Sequence, residues 1–194
     1  MTNITIDDIK KLRDETGVSI MQCRKALEEA GGDFDKAKVI LRKISADVAK
    51  KKSDRELGAG VVQAYVHANG KTVGVVALAC ETDFVANNED FKKLAYDLAM
   101  HVAAMSPKFL KEEDVTEDDI KSAKELFEEE VKDKPDDIKD KIIEGKIKSY
   151  LKDKVFVMQG FIKDPSKTIQ DLIKEATQKF GERIEVVEIY HYSF

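Results

Sequence analysis

The side chains able to do chemistry here are 3 histidines, 2 cysteines and 38 acidic residues, and their spacing assembles no familiar site. His67, His101 and His191 stand too far apart to suit one ligand set, and Cys23 and Cys80 match no metal or redox spacing. No glycine-rich phosphate loop and no nucleophile elbow is present. The expectation is a protein that makes and breaks no bonds and carries no metal or cofactor. Two positions break the ordinary pattern. In "CETDFVANNEDF", Cys80 to Phe91, a carboxylate (Asp83) stands beside a large apolar side chain (Phe84) at a polar turn. Phe84 either folds back under the sheet, which the pattern favours because buried aromatics are commoner than displayed ones, or projects with Asp83 as a wedge. Met21 is the second. On a 100°-per-residue wheel it points away from its neighbours Ile20, Cys23 and Leu27; it is a soft contact surface or a stray surface methionine.

The elements that must carry these residues are legible from apolar period and caps. Thr5, with Asp8 three places on, opens a helix with Ile6, Ile9 and Leu12 on one side, and Gly17 stops it. Ser19 opens a second, with Gln22 in the box position and Ile20, Cys23, Ala26 and Leu27 inward. Asp33 caps a third through Phe34, Ala37, Leu41, Ile44 and Val48. Three helices in about 45 residues form a bundle too small for an enzymatic cleft. The charge run "KKKSDRE" (50–56) reads as a solvated linker or frayed helix end, which places a head at 1–49 and a core at 57–194. In the core, Val61–His67 and Thr72–Cys80 are strand-like runs joined through Asn69-Gly70, which predicts a hairpin with a type I′ turn. A helix follows from about Asn88 to Met105, its stripe being Phe91, Leu94, Leu98, Val102 and Met105, and Pro107 ends it. His101 lies on the flank of that stripe, where it borders either the core or a contact surface. Lys111 to Lys154 is charge-dense and helical with a break at Lys134-Pro135, and "VFVMQGF" (155–161) reads as extended. Thr168 and Asp171 cap a helix with Ile169, Leu172, Ile173, Ala176 and Phe180 inward, which Gly181 stops. "RIEVVEIYHY" reads as a strand that joins the hairpin. The fold class is α+β: a helical bundle, then a core with about three antiparallel strands against helices.

Composition narrows the function. Net charge is −5, which argues against a chain built to hold nucleic acid. The first 56 residues carry +2 and the remainder −7, a weakly basic head on an acidic body that suits a protein partner. The N-terminal residues lack a signal-peptide core, no apolar run reaches the ~20 residues of a membrane span, and both cysteines fall on apolar faces. A soluble, cytoplasmic protein with reduced thiols is expected.

Several stretches are similar to one family, in its order, along nearly the whole chain. They are "IKKLRDETGVSIMQCRKALEEAGGDFDKA", "ETDFVANNEDF", "DLAMHVAAMSP", "KIIEGKIKSYL", "DPSKTI" and "FGERIEV". The chain resembles the bacterial elongation factor Ts family, in its short form with a single core. The resemblance implies a ubiquitin-associated-like head and guanine-nucleotide exchange on elongation factor Tu, without membrane or direct nucleic-acid contact. It implies that Arg13, Thr16, Gly17, Ile20 and Met21 of the head grip the GTPase. It implies that Thr82, Asp83, Phe84 and Val85 form a wedge that disturbs Mg²⁺ and phosphate binding, with His101 a further contact. Long members carry two core halves, so a single core implies a homodimer and a 2:2 complex, with the C-terminal strand and core sheet as the contact. The chain departs from the family pattern at Ile20 (where Met-Met is frequent for Ile20-Met21), at Gly160 (where Pro is frequent) and at "EIYHY", which lacks an arginine. A ubiquitin-associated-like adaptor that binds a protein without promoting exchange is the competing expectation.

Overall fold

The computed structural model describes residues 4–131 and 136–194, the side chains of residues 136 and 137 excepted. Helices α1 (Ile6–Thr16), α2 (Ile20–Glu29) and α3 (Phe34–Lys52) come first. Strands β1 (Ala59–Val66) and β2 (Thr72–Cys80) form the hairpin, and a single turn, α4 (Asp83–Ala86), leads into α5 (Glu89–Met105). Helices α6 (Glu117–Glu130) and α7 (Asp136–Lys154), short strands β3 (Gly160–Phe161) and β4 (Asp164–Thr168), helix α8 (Ile169–Phe180) and strand β5 (Glu185–Ser193) complete the chain. The expected three-stranded antiparallel sheet is present, in the order β1-β2-β5, packed against helices. The expected break at Lys134-Pro135 lies outside the described residues.

The chain divides into two compact units. One comprises Met1–Val62, Ala77–Ala95 and Gln170–Val187, and the other Gln63–Val76, Tyr96–Ile169 and Glu188–Phe194. The first unit holds the head. The Thr5–Asp8 capping box closes reciprocally, Ser19 accepts from the Gln22 N–H, and the Asp33 carboxylate accepts from the N–H groups of Asp35 and Lys36 at 3.0 and 3.1 Å. The bundle closes on Leu12, Val18, Cys23, Ala26, Leu27, Ala37 and Leu41. Of the expected core residues, Ile6 and Ile20 are exposed. Each is the first residue of its helix, beyond the last layer of facing side chains, so nothing covers it. The α3 helix also runs on to Lys52, into the segment read as linker, and its face meets α8: Ser45 donates to Gln178, Arg42 pairs with Glu175 at 3.8 Å, and Lys52 donates to the Gly181 carbonyl.

In the second unit the hairpin loop differs from expectation. Gly70 alone takes positive φ (66°), and Gly70 donates to the His67 carbonyl, so the loop of residues 68–71 is built on a type I turn, not a type I′ turn. With four residues to reverse the chain, only one left-handed residue is required. The "VFVMQGF" stretch is not a continuous strand. Val155 bridges Phe109, Phe156–Met158 form a 3₁₀ turn, and Gly160–Phe161 pair with β4 in a second, two-stranded sheet. At the end of α5, Met105 is exposed and not part of the buried stripe, again a helix-terminal residue with nothing beyond it.

Candidate functional site

Phe84 is not a core residue. It is 85% exposed, the second residue of the single-turn helix α4. Its successors Val85 and Ala86 are buried and anchor the turn. Consecutive helical residues point about 100° apart, so when Val85 takes the inward direction Phe84 is turned out. The turn is held by its own backbone: Ala86 donates to the Thr82 carbonyl at 3.1 Å, and Asn87 donates both its N–H and its side-chain amide to the Asp83 carbonyl at 3.0 Å. Asp83 and Thr82 are exposed beside the ring. A second layer grips the approach to the turn. The Glu182 carboxylate accepts from the N–H groups of Glu81 and Thr82 (3.1 and 3.0 Å) and from the Thr82 hydroxyl at 2.6 Å. The Glu81 carboxylate accepts from the Arg183 N–H at 2.5 Å and from the Arg55 guanidinium at 3.2 Å, and these donors, the Arg183 N–H foremost, hold Glu81 below its usual pKa. Burial, with Glu182 adding to it, pushes the Cys80 thiol up, so Cys80 is an unreactive core thiol beneath the turn.

In the same unit, the loop between α1 and α2 presents the head's candidate residues. Gly17 caps α1 in the left-handed conformation, its N–H donating to the Arg13 carbonyl at 2.7 Å. A Cβ on Gly17 would lie 3.0 Å from the Lys179 side chain of α8, so this loop is closely backed. Thr16 faces inward: its hydroxyl donates to the Leu12 carbonyl at 2.7 Å and lies 3.8 Å from the Cys23 sulfur. Arg13, Ile20 (54% exposed) and Met21 (69%) face out. Two neighbouring large apolar side chains on one helical turn make a patch in place of a single stray methionine.

His101 is 0% exposed, so of the two places its position allows, core or contact surface, it takes the core. The 3₁₀ turn and β3, some 60 residues on, cover it. Its Nδ1 accepts from the Ile162 N–H at 3.2 Å, which puts the proton on Nε2, facing the Gln159 carbonyl oxygen at 3.0 Å. Gln159 donates in turn to the Asp153 carbonyl at 2.6 Å. Phe156 and Phe161 flank the ring at 5.7 and 6.1 Å. Burial pushes the His101 pKa below its usual value, the Gln159 bond partly opposing this. With the folded value depressed, the unfolded chain binds the extra proton more readily. The stability this provides is complete above the unfolded value, about 6.5, and is lost as pH falls through the folded value. The thermal midpoint is therefore expected to fall between about pH 7 and pH 5, ahead of carboxylate protonation. The midpoint difference between wild type and His101→Asn, measured across that range, should shrink as pH drops; a constant difference would contradict it.

Gln159, Glu182 and Arg55 do not stand out in the sequence. Gln159 has a local sign, a lone amide inside an apolar run; Glu182 and Arg55 have none, since their partners lie 100 and 26 residues away in the chain. Among the described residues no three His, Cys, Asp or Glu side chains gather to hold a metal, and no helix is long and apolar enough to cross a membrane.

Fold and site together describe a chain that displays apolar side chains on firmly hydrogen-bonded supports, the construction of a protein-docking surface. The family model for Elongation factor TS matches residues 35–193. Relatives named Elongation factor Ts include that of Thermotoga petrophila (47% identical over 189 residues, 97% of this chain and 95% of the relative), that of Thermosipho melanesiensis (48% over 180 residues, 92% of each) and that of Herpetosiphon aurantiacus (44% over 186 residues, 95% and 94%). The chain belongs to the elongation factor Ts family.

Proposed function

We propose that this chain is the guanine-nucleotide exchange factor for elongation factor Tu, acting in the cytoplasm by binding the GDP form and promoting GDP release. Phe84 carries the reading: an aromatic ring left 85% exposed, on a turn that several carboxylate bonds fix in place. Such a ring is a natural anchor for a pocket on a partner. In a GTPase, GDP is held by a phosphate loop and by Mg²⁺ that neutralises phosphate charge, so a side chain driven between neighbouring elements loosens both. Burial of one phenylalanine contributes only about 1.5–3 kcal/mol, so binding elsewhere must drive the distortion. The head supplies it, with Arg13, Ile20 and Met21 as the contact and Thr16 and Gly17 shaping the loop. Buried His101 serves the core by positioning the 158–162 segment and does not touch the GTPase itself. No cofactor and no bond-making step are required.

The division into a head (1–49), a connector (50–56) and an exchange and dimerisation core (57–194) belongs to the same reading. So does a homodimer holding two GTPase molecules: β5 is an edge strand, and Val187, Tyr190, Tyr192 and Phe194 at this end of the chain are exposed. A monomer mass by light scattering at working concentration would remove the dimer.

The test is the release of a fluorescent GDP from elongation factor Tu. Addition of this chain should accelerate it, and binding without acceleration would favour the adaptor. Met21→Lys should raise the concentration needed for half-maximal release about tenfold or more, with the maximal rate retained, since it places a charge in the grip and leaves the wedge alone. An unchanged half-saturation would take the head out of the contact.

A further inference from the structure

We propose that Glu182 is a positioning residue for Phe84: its carboxylate holds the 81–82 turn so that α4 presents the ring in one direction. The proposal rests on the exchange reading of Phe84. The geometry is specific. One oxygen of Glu182 accepts from two successive backbone N–H groups, Glu81 at 3.1 Å and Thr82 at 3.0 Å, while the other accepts from the Thr82 hydroxyl at 2.6 Å. Thr82 occupies the N-cap of α4, yet its hydroxyl caps none of that helix's own N–H groups. It is turned to Glu182 instead. The grip is returned, because the Glu81 carboxylate accepts from the N–H of Arg183, the residue after Glu182. Two chain segments a hundred residues apart thus exchange carboxylates crosswise.

The support behind Glu182 is rigid as well. Gly181 closes α8 at φ 72°, its N–H donating to the Thr177 carbonyl at 3.0 Å, and this left-handed residue turns the chain toward β2. Phe180 stacks edge-on to Phe91 at 5.8 Å, and Lys179 pairs with Asp90 at 2.8 Å. Helix α8 is therefore tied to the segment that follows α4 while its C-terminal turn grips the segment that precedes it. Release of Glu182 frees the leading end of a single-turn helix. A ring on a loose turn must be ordered on docking, which lowers the fraction of encounters that seat it.

A residue that merely stabilises the fold would act regardless of Phe84, and this separates the two. GDP release from elongation factor Tu is measured with Glu182→Ala, Glu182→Gln, Phe84→Ala and the Glu182→Ala/Phe84→Ala pair, alongside amide hydrogen exchange of the free proteins. In Glu182→Ala the Thr82 amide should exchange about tenfold faster or more, with head amides such as Leu27 unchanged. The maximal release rate should fall about tenfold with half-saturation within about twofold. Glutamine, whose oxygen still accepts from the two N–H groups and whose NH₂ can donate to the Thr82 hydroxyl, should recover most of that rate. In the Phe84→Ala background, Glu182→Ala should cost nothing further. Thr82→Val, which deletes only the hydroxyl contact, should show the same pattern at smaller size and serves if Glu182→Ala does not fold. Additive losses in the pair, or a Thr82 amide that stays protected in Glu182→Ala, would overturn the role of Glu182 while leaving an active wild type as evidence for exchange. A wild type that fails to accelerate release would overturn the exchange reading, and this role with it.

Discussion

Phe84→Ala is expected to lower the maximal rate of GDP release from elongation factor Tu by roughly ten- to a hundredfold while leaving the thermal midpoint of the free protein where it was. The first half follows from size. Burial of one phenylalanine side chain is worth about 1.5–3 kcal/mol, and the whole of it is realised only when the ring enters the partner. The second half follows from exposure. A ring 85% open to solvent contributes little to the core, and surface substitutions of that kind stay within about 0.5 kcal/mol. Stopped-flow release and a thermal melt on the same preparation read both halves. Linkage adds a third observable: whatever factor this chain takes from the GTPase's affinity for GDP, GDP takes from its affinity for this chain. In Phe84→Ala the ratio of affinities for nucleotide-free and GDP-bound elongation factor Tu should therefore shrink together with the rate. Full activity in the variant would move the distortion to Asp83 or to the head.

Local signals in the sequence located most elements, and the failures share a cause. Capping residues Thr5, Ser19 and Asp33 mark the head helices because they act on N–H groups two or three residues away. Apolar period assigns the direction in which a helical residue points, but not whether anything lies there. Ile6, Ile20 and Met105 all fall on the inward side of the wheel and all end a helix, past the reach of the neighbouring element. His101 is undecided by its wheel position, on the flank, because the segment that seals it carries Gln159, 58 residues further along. Phe84 is ambiguous because a helix of one turn has no period to read. Similarity to a family, and not spacing, favours its exposure. Glu182 is the extreme case. Nothing near it distinguishes a solvated glutamate from one that grips a turn a hundred residues away.

Gly74→Ala is expected to destabilise the protein by about 3 kcal/mol or more, since its added carbon would make a closer contact than one at Gly17, Gly58, Gly60 or Gly160. Gly74 lies in β2 where the strand crosses α5, and a Cβ there would sit 2.2 Å from the Ala99 carbonyl oxygen and 2.5 Å from the Ala103 nitrogen. Both are helix backbone atoms, so no side chain can swing aside. The strand and the helix must part, which disturbs a tightly packed interior to which both elements contribute fully buried side chains, Val76 of β2 and Leu98 and Val102 of α5. For a chain of this length, 3 kcal/mol corresponds to a thermal midpoint lower by roughly 6–12 °C. The same substitution at Gly145 should have the opposite sign. That glycine stands inside α7 with nothing within 4 Å of the added carbon, so Gly145→Ala gains helix propensity, up to about 1 kcal/mol, and meets no resistance. Melts of the two variants side by side test the packing directly, because the chemical change is identical and only the surroundings differ. A Gly74→Ala midpoint within about 2 °C of wild type would mean that β2 and α5 are less closely apposed than these distances require.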